Sequence, residues 1–190
     1  VEVDVVRMSP EDLVARAIRS TCPSVSHTYS EPLVHAEFVA ECMERSSAAG
    51  LRSVLVTNGS AGPEAAAAVL AWCDAVNVDL KAWDADFYRH ELGGDRDEVL
   101  RFIEQAVASG VHTEVTTLVI PGKNDDDDQI RAIASFLAGI DADIVLHLSA
   151  YRPMYRYSVH STPASTIERL VLVASEFLHY VYAGNLPRNL

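Results

Sequence analysis

Residues 112–122 read HTEVTTLVIPG, and this stretch indicates how the whole chain is built. It is rich in Val, Ile and Thr, which favours a strand, and Pro121 with Gly122 ends that strand in a bend. Side chains two residues apart in a strand face the same side, so the predicted strand has two different faces. One face carries His112, Glu114, Thr116 and Leu118, and the other, expected to pack on helices, carries Thr113, Val115, Thr117 and Val119.

Similar short apolar runs recur on both sides of this strand and alternate with amphipathic helical segments, a pattern typical of βα units and a mainly parallel sheet. The predicted strands lie at about 24–29, 53–57, 75–80, 112–120, 144–149 and 180–183. The predicted helices lie at about 9–21, 33–49, 63 onward, 95–109, 125–138 and 163–177, with a shorter turn at 84–90. Six strands favour an α/β fold of the partial (open) TIM-like βα-barrel type. We expect residues 1–190 to form a single domain, shorter than the ~250 residues of a complete barrel.

The composition excludes several classes of function. A formal net charge of −12 would repel a phosphate backbone, and the 15 Lys and Arg residues form no dense basic block, so nucleic-acid binding is not expected. No apolar run approaches the ~18–20 residues of a membrane span, and a cytoplasmic location is expected. The four acids at 125–128 are interpreted as a helix start, which the helix dipole favours, rather than as a cation site. Three separated cysteines without a CxxC pair predict no metal site: Cys22, Cys42 and Cys73.

Polar residues gather at the predicted carboxyl ends of the strands, the edge at which parallel βα proteins bind ligands. A carboxylate such as Glu31 or Asp79 can hold an ammonium group, and Lys81 can hold a carboxylate, so these ends predict a zwitterionic ligand. Structural alternatives remain: an Asp79–Lys81 ion pair that plugs the barrel, a helix-start role for Glu31, and an interior position for His147 without ligand contact. Two other histidines, His27 and His112, are expected to be structural.

Several motifs in succession resemble those of the radical S-adenosylmethionine (SAM) enzymes. They are SHTYSEPL at 26–33, VLVTNG at 54–59, VDLK at 78–81, HTEVTTLVIPGKND at 112–125, HLS at 147–149 and YVYAGNLP at 180–187. The resemblance extends to the radical-SAM member of the AmmeMemoRadiSam system and to pyruvate formate-lyase activating enzymes. It implies a partial barrel that binds SAM beside a [4Fe-4S] cluster. Such enzymes cleave SAM reductively, and the resulting 5′-deoxyadenosyl radical abstracts hydrogen from the substrate.

The resemblance also implies roles for individual residues. Residues 30–32 would meet the methionine amino group, and the polar residues that end the next two strands would lie near the methionine portion or the substrate. Residues 120–122 would lie on the adenine side, and His147 near the ribose. The set expected to bind the cofactor is Tyr29, Ser30, Glu31, Pro32, Asn58, Asp79, Lys81, Thr116, His147 and Ser149. No metal ligand and no catalytic residue is assigned.

The CxxxCxxC motif that supplies three cluster thiolates in this family is absent from the 190 residues. In the family it belongs to the loop after the first strand of the barrel. We therefore expect that strand and loop to precede Val1, so that the chain is a fragment of a longer enzyme and does not cleave SAM by itself. The expected partners are SAM, a protein or peptide substrate and an electron donor.

Three other functions are kept as alternatives. The site could hold SAM or a nucleotide without turnover. Lys81 could form a Schiff base in a lyase or aldolase, although the neighbouring Asp79 favours the charged ammonium. A hydrolytic metal site could use His27, His112 and His147, although no motif links these histidines.

Overall fold

A computed structural model describes residues 6–155 and 157–186, and the strand predicted from residue 112 lies inside its sheet. This strand, β4, spans His112–Val119 and lies between β3 and β5. All neighbouring strands pair in parallel, and their order follows the chain from β1 to β6. The predicted α/β fold with six strands in an open sheet is confirmed. The other strands are β1 (Ser24–His27), β2 (Arg52–Thr57), β3 (Ala75–Asp79), β5 (Val145–Ala150) and β6 (Val181–Gly184).

The helices between the strands follow the predicted spans within a few residues. Ser9 and Asp12 form a capping box at the first helix, and the Asp126 side chain caps the sixth. The acids at 125–128 therefore start a helix, as predicted. None of the helices among the described residues is long and apolar enough to cross a membrane. The helices are α1 (Pro10–Arg19), α2 (Ala36–Ala48), α3 (Pro63–Leu70), α4 (Ala85–Phe87), α5 (Arg96–Ala108), α6 (Asp127–Ile140) and α7 (Ala164–Ala174).

Two local predictions are wrong in detail. The helix predicted at 33–49 begins as a 3₁₀ turn over Pro32–His35, in which the Glu31 side chain accepts from the Leu33 N–H, and becomes α-helical only at Ala36. The turn predicted at 84–90 is α4 followed by a π-helical turn over Tyr88–Leu92. The strand predicted before Val1 and residue 187, the last of the YVYAGNLP motif, lie outside the described residues. The single domain also stays a prediction.

Alternation along the strands gives the sheet two unlike faces. The predicted helix-facing residues of β4 are buried, and so are Leu55 in β2 and Val78 in β3. Burying one such aliphatic side chain contributes about 1.5–3 kcal/mol, so this face forms the core. The opposite side, here called the polar face, is only half buried over most of its width. The polar face consists of Asn77, Asp79, His112, Glu114, Thr116, His147 and Ser149.

Candidate functional site

The segment after β1 carries Glu31, whose carboxylate is held by three hydrogen bonds. Its Oε1 accepts from Thr57 Oγ1 at 2.6 Å and from the Leu33 N–H at 3.0 Å, and its Oε2 accepts from the Asn58 N–H at 2.8 Å. A carboxylate offers about four acceptor positions, so roughly one remains for a further donor. The bond to Leu33 confirms the helix-start role of Glu31. The other two bonds fix the same carboxylate to the end of β2.

Gly59 allows the chain to turn sharply after β2. Its φ of +70° is left-handed, and a Cβ at this position would lie 3.0 Å from Val78 Cγ1. Any other residue would therefore be strained by its backbone and by this contact. The Gly59 N–H donates to Thr57 Oγ1 at 3.0 Å, and Asn58 Oδ1 accepts from the Ser60 N–H at 2.8 Å. The turn thus holds Thr57 against Glu31 and keeps Asn58 at the strand end.

Asp79 and Lys81 form an ion pair at the end of β3. Lys81 Nζ lies 2.9 Å from Asp79 Oδ2, and each side chain is 39% exposed. The predicted ion pair is therefore present, but a pair this exposed contributes only about 0–1 kcal/mol and does not plug the fold. Formation of a Schiff base would require Lys81 to leave this pair. The Lys81 N–H donates to the Tyr88 hydroxyl at 2.8 Å, and burial raises the pKa of Tyr88 to about 12.

One cavity of about 320 Å³ lies at the carboxyl ends of β1, β2 and β3. It brings together most of the residues predicted to bind the cofactor, which are Tyr29, Ser30, Glu31, Asn58, Asp79 and Lys81. Pro32 lines an adjoining cavity of about 370 Å³, beside His27 and Phe38. Thr116, His147 and Ser149 lie farther along the sheet on the polar face, outside the first cavity. The Ser149 hydroxyl lies next to Gly184, so a Cβ at position 184 would collide with it.

Asn124, which lies in the HTEVTTLVIPGKND motif, is fully buried, and the motif predicted no individual role for it. Its Oδ1 accepts from the Ile120 N–H at 2.7 Å, and its Nδ2 donates to the Lys81 carbonyl at 2.6 Å and to the Leu118 carbonyl at 2.9 Å. One side chain therefore ties the end of β3 to the end of β4 and fixes the backbone of Lys81. The sequence signal was only an Asn soon after a Pro-Gly bend, which is typical of many exposed turns.

Glu114 joins two histidines on the polar face. The His147 Nε2 lies 2.7 Å from Glu114 Oε2, and the His112 Nε2 lies 3.1 Å from Oε1. His147 also stacks on Tyr182, with ring centroids 5.7 Å apart. Thr116 forms a separate bond on this face, to the side chain of Asn77. The alternation of β4 predicted which way Glu114 faces, but no pattern in the sequence indicated its pairing with His147.

The stability contributed by Glu114 is expected to depend on pH. Burial by itself would raise the pKa of Glu114, but hydrogen bonds and charge attraction from His147 and His112 outweigh it, so the pKa lies below its ordinary value of 4.5. A carboxyl whose pKa is lowered by folding stabilises the protein above its unfolded pKa, and this stability is lost as pH falls through the folded pKa.

We therefore expect the free energy of unfolding to be higher for the wild-type chain than for Glu114→Gln at about pH 6. This difference is expected to shrink below about pH 4.5. Urea unfolding across this pH range measures the difference. A constant difference throughout the acid range would contradict the expectation.

A larger cavity of about 670 Å³ lies at the carboxyl ends of β4, β5 and β6. Hydrogen bonds tie the loop after β5 in place. The Tyr151 hydroxyl donates to the Tyr157 carbonyl at 2.7 Å, and Arg152 Nη2 donates to the Asn185 carbonyl at 3.1 Å. No sequence motif had indicated this cavity. Its lining residues are Leu118, Ala150, Tyr151, Arg152, Met154, Asn185 and Leu186.

The cysteines do not fit an iron–sulfur cluster within the part of the chain that the structure describes. Cys22 is exposed, whereas Cys42 and Cys73 are buried, and burial raises the pKa of both buried thiols to about 11. Among residues 6–155 and 157–186, no three His, Cys, Asp or Glu side chains are grouped to hold a metal ion. The histidine metal-site hypothesis is wrong, because buried His27 pairs in register with helix-facing Leu55, whereas the other two histidines lie on the polar face.

Comparison with known proteins identifies the family. The family model of the Radical SAM superfamily matches residues 2–136. This chain belongs to the radical SAM superfamily.

The radical SAM chain is 35% identical over 189 residues to an uncharacterized protein of Methanocaldococcus jannaschii, covering 98% of this chain and 56% of that protein. It is 32% identical over 142 residues to GTP 3′,8-cyclase of Pseudomonas syringae, covering 73% and 42%. It is 25% identical over 114 residues to pyruvate formate-lyase 1-activating enzyme of Escherichia coli, covering 59% and 46%. The chain thus spans about half the length of the curated relatives that it matches.

Solved structures share the fold of this radical SAM chain. A domain of pyruvate-formate lyase-activating enzyme from Bacteroides vulgatus has a TM-score of 0.76 at 20% identity, covering 85% of this chain and 99% of that one. Streptococcus suis SuiB bound to S-adenosylmethionine has a TM-score of 0.68 at 14% identity, covering 99% and 46%. At these low sequence identities, the structural similarity shows a shared fold alone. These structures confirm the predicted partial barrel of the radical SAM type.

Proposed function

We propose that this chain is the SAM-binding body of a radical SAM enzyme whose [4Fe-4S] cluster is held by residues outside the described part. The observation that carries the proposal is the convergence of Glu31, Asn58, Asp79 and Lys81 around one cavity at the strand ends. In this family, SAM and the cluster together supply a 5′-deoxyadenosyl radical that abstracts hydrogen from the substrate. The similarity to activating enzymes supports a reaction of the activating-enzyme type.

The charges in the cavity suit the amino-acid portion of SAM. A methionine ammonium can donate to the acceptor position left on Glu31 and to Asp79, and a methionine carboxylate can accept from Lys81 Nζ. Three hydrogen bonds orient the Glu31 carboxylate without a ligand, so little ordering is needed when the ammonium binds. Asn58, whose Oδ1 accepts from the Ser60 N–H, can offer the second acceptor position of that oxygen to the ammonium.

The remaining predicted residues would bind other parts of the ligand. We infer that Tyr29, Ser30 and Pro32 form the wall of the cavity beside β1. Thr116, His147 and Ser149 would face the nucleoside portion. Register pairs Asp79 with Thr116 and Thr116 with His147, so these three side chains form one row across adjacent strands. With strands about 4.8 Å apart, this row spans about 10 Å, a length that suits an amino acid joined to a nucleoside.

We further infer a protein or peptide substrate and an electron donor as partners. The cavity at the ends of β4, β5 and β6 supports the inference of a large substrate, because its volume is about 670 Å³. One of its lining residues, Ala150, directly follows Ser149 in the chain. SuiB, which shares this fold at a TM-score of 0.69, has been solved bound to its precursor peptide SuiA.

Lys81→Met is expected to weaken SAM binding by about 10- to 100-fold, because a hydrogen bond to a charged group contributes about 1.5–3 kcal/mol. Calorimetric titration of the chain measures the affinity. Arg52→Met is the matched control: it removes the same charge from an ion pair with Asp74 at the opposite edge of the sheet, and its affinity is expected to stay unchanged. Lys81→Met is expected to cost less than about 1 kcal/mol of folding stability, so a lost affinity would not reflect unfolding.

Wild-type chain that does not bind SAM would overturn the proposed function. Titration with ATP separates the alternative of a nucleotide-binding module, which would bind ATP at least as tightly as SAM. After anaerobic incubation with iron and sulfide, followed by dithionite as the electron source, the 190-residue chain is expected to bind SAM but to release no 5′-deoxyadenosine. A stable cluster spectrum together with that product would show that residues of this chain hold the cluster.

A further inference from the structure

The pairing of Glu114 with His147 holds an imidazole in one orientation on the polar face. At one edge of the ring, Nε2 lies 2.7 Å from Glu114 Oε2. Across the ring, Tyr182 stacks at an interplanar angle of 29°. The hydrogen bond at Nε2 and the stacked Tyr182 ring together leave the imidazole little freedom to rotate.

The chemistry of the pair decides which ring nitrogen is free. An ionised carboxylate only accepts hydrogen bonds, so Nε2 must carry the proton that faces Glu114. The lowered pKa of Glu114 supports the ionised form. Among the described residues, none forms a hydrogen bond with Nδ1 of His147, and the side chain is 32% exposed. Nδ1 is therefore the nitrogen available to a bound molecule.

His147 lies within reach of a ligand that occupies the strand-end cavity. It shares a row with Thr116 and Asp79, and Asp79 lines that cavity. Glu114 precedes Thr116 by two residues, so it lies on the same face one step nearer the amino ends of the strands. From there it can hold the ring without occupying the ligand's space.

We propose that Glu114 is a positioning residue, which fixes the imidazole of His147 so that Nδ1 can bind the nucleoside portion of the ligand. The inference rests on the proposed function as far as the ligand is SAM. The contact between Glu114 and His147 itself does not depend on that assignment. A purely structural carboxylate would stabilise the sheet without affecting ligand affinity through His147.

A double-mutant cycle tests this coupling. Glu114→Ala is expected to weaken SAM binding about tenfold, and to have less than about a twofold effect when His147→Ala is already present. His112→Ala is the matched control, because it breaks the bond to the other oxygen of the same carboxylate and leaves His147 held; its SAM affinity is expected to change less than about twofold. Equal losses from Glu114→Ala in both backgrounds would overturn the proposal.

Nitrogen-15 NMR of the histidine rings gives a readout that needs no ligand. The His147 Nε2–H, assigned by its absence in His147→Ala, is expected to exchange slowly with water in the wild type and in His112→Ala, and rapidly in Glu114→Ala. If the wild type binds no SAM but shows this pattern, the proposed function fails while the fixed ring is retained. Rapid exchange in the wild type would overturn the positioning role whatever the ligand.

Discussion

Asn124→Leu is expected to lower the free energy of unfolding by about 3–5 kcal/mol, because it removes the hydrogen-bond partner of three part-buried backbone groups. These groups are the Ile120 N–H and the carbonyls of Lys81 and Leu118, all of which bond to the buried Asn124 amide. Leucine keeps the same branched arrangement of four side-chain heavy atoms, so the loss would not come from a cavity. Urea denaturation measures it directly.

Two further variants separate the causes. Asn124→Asp keeps an acceptor for Ile120 but turns a carboxyl oxygen toward two carbonyls, so it is expected to be destabilising as well. Asn77→Leu removes a half-buried amide with one side-chain bond, to Thr116, and is expected to cost less than about 1.5 kcal/mol. If Asn124→Leu were no more destabilising than Asn77→Leu, the role of Asn124 in joining β3 and β4 would be refuted.

Glu31→Gln is expected to weaken SAM binding by about 100-fold, the upper end of the range expected for Lys81→Met. The substitution removes the charge that attracts an ammonium group. It also replaces one acceptor oxygen by an NH₂ group. That group must then face either the Asn58 N–H or the Leu33 N–H and Thr57 hydroxyl, all of which are donors. A loss of folding stability of about 1–3 kcal/mol should accompany it.

Glu37→Gln provides the matched control for Glu31→Gln, since it makes the same chemical change at an exposed position in the first turn of α2. Calorimetric titration with SAM, at a temperature where all three proteins are folded, compares them. Affinities of Glu31→Gln and Glu37→Gln that agree within about twofold would exclude Glu31 from the ligand site.

The sequence was sufficient for features that depend on short-range periodicity. Alternation along β4 correctly predicted which residues face the helices, and the polar strand ends correctly predicted that Glu31, Asn58, Asp79 and Lys81 line one cavity. Parallel strands carry their carboxyl ends to one edge, so these predictions required no knowledge of tertiary contacts.

Contacts between distant residues could not be predicted in the same way. The pairing of Glu114 with His147 depends on the register between β4 and β5, which places His147 opposite Thr116. The role of Asn124 depends on two strand ends approaching the same side chain. The π-helical turn that begins at Tyr88 likewise has no periodic signal in the sequence. The Tyr88 hydroxyl contacts Lys81 only in the folded chain.

The tight turn after β2 limits how this site can be altered. At Gly59, the space for a Cβ is bounded by Val78 of β3 and by Val99 of α5, 3.0 Å and 3.3 Å away. A side chain added there would press on both valine side chains and would require a left-handed backbone conformation that residues other than glycine rarely adopt. Mutant libraries that aim to change ligand preference should therefore leave Gly59 constant and vary Asn58 and Ser60, its two neighbours at the rim of the site.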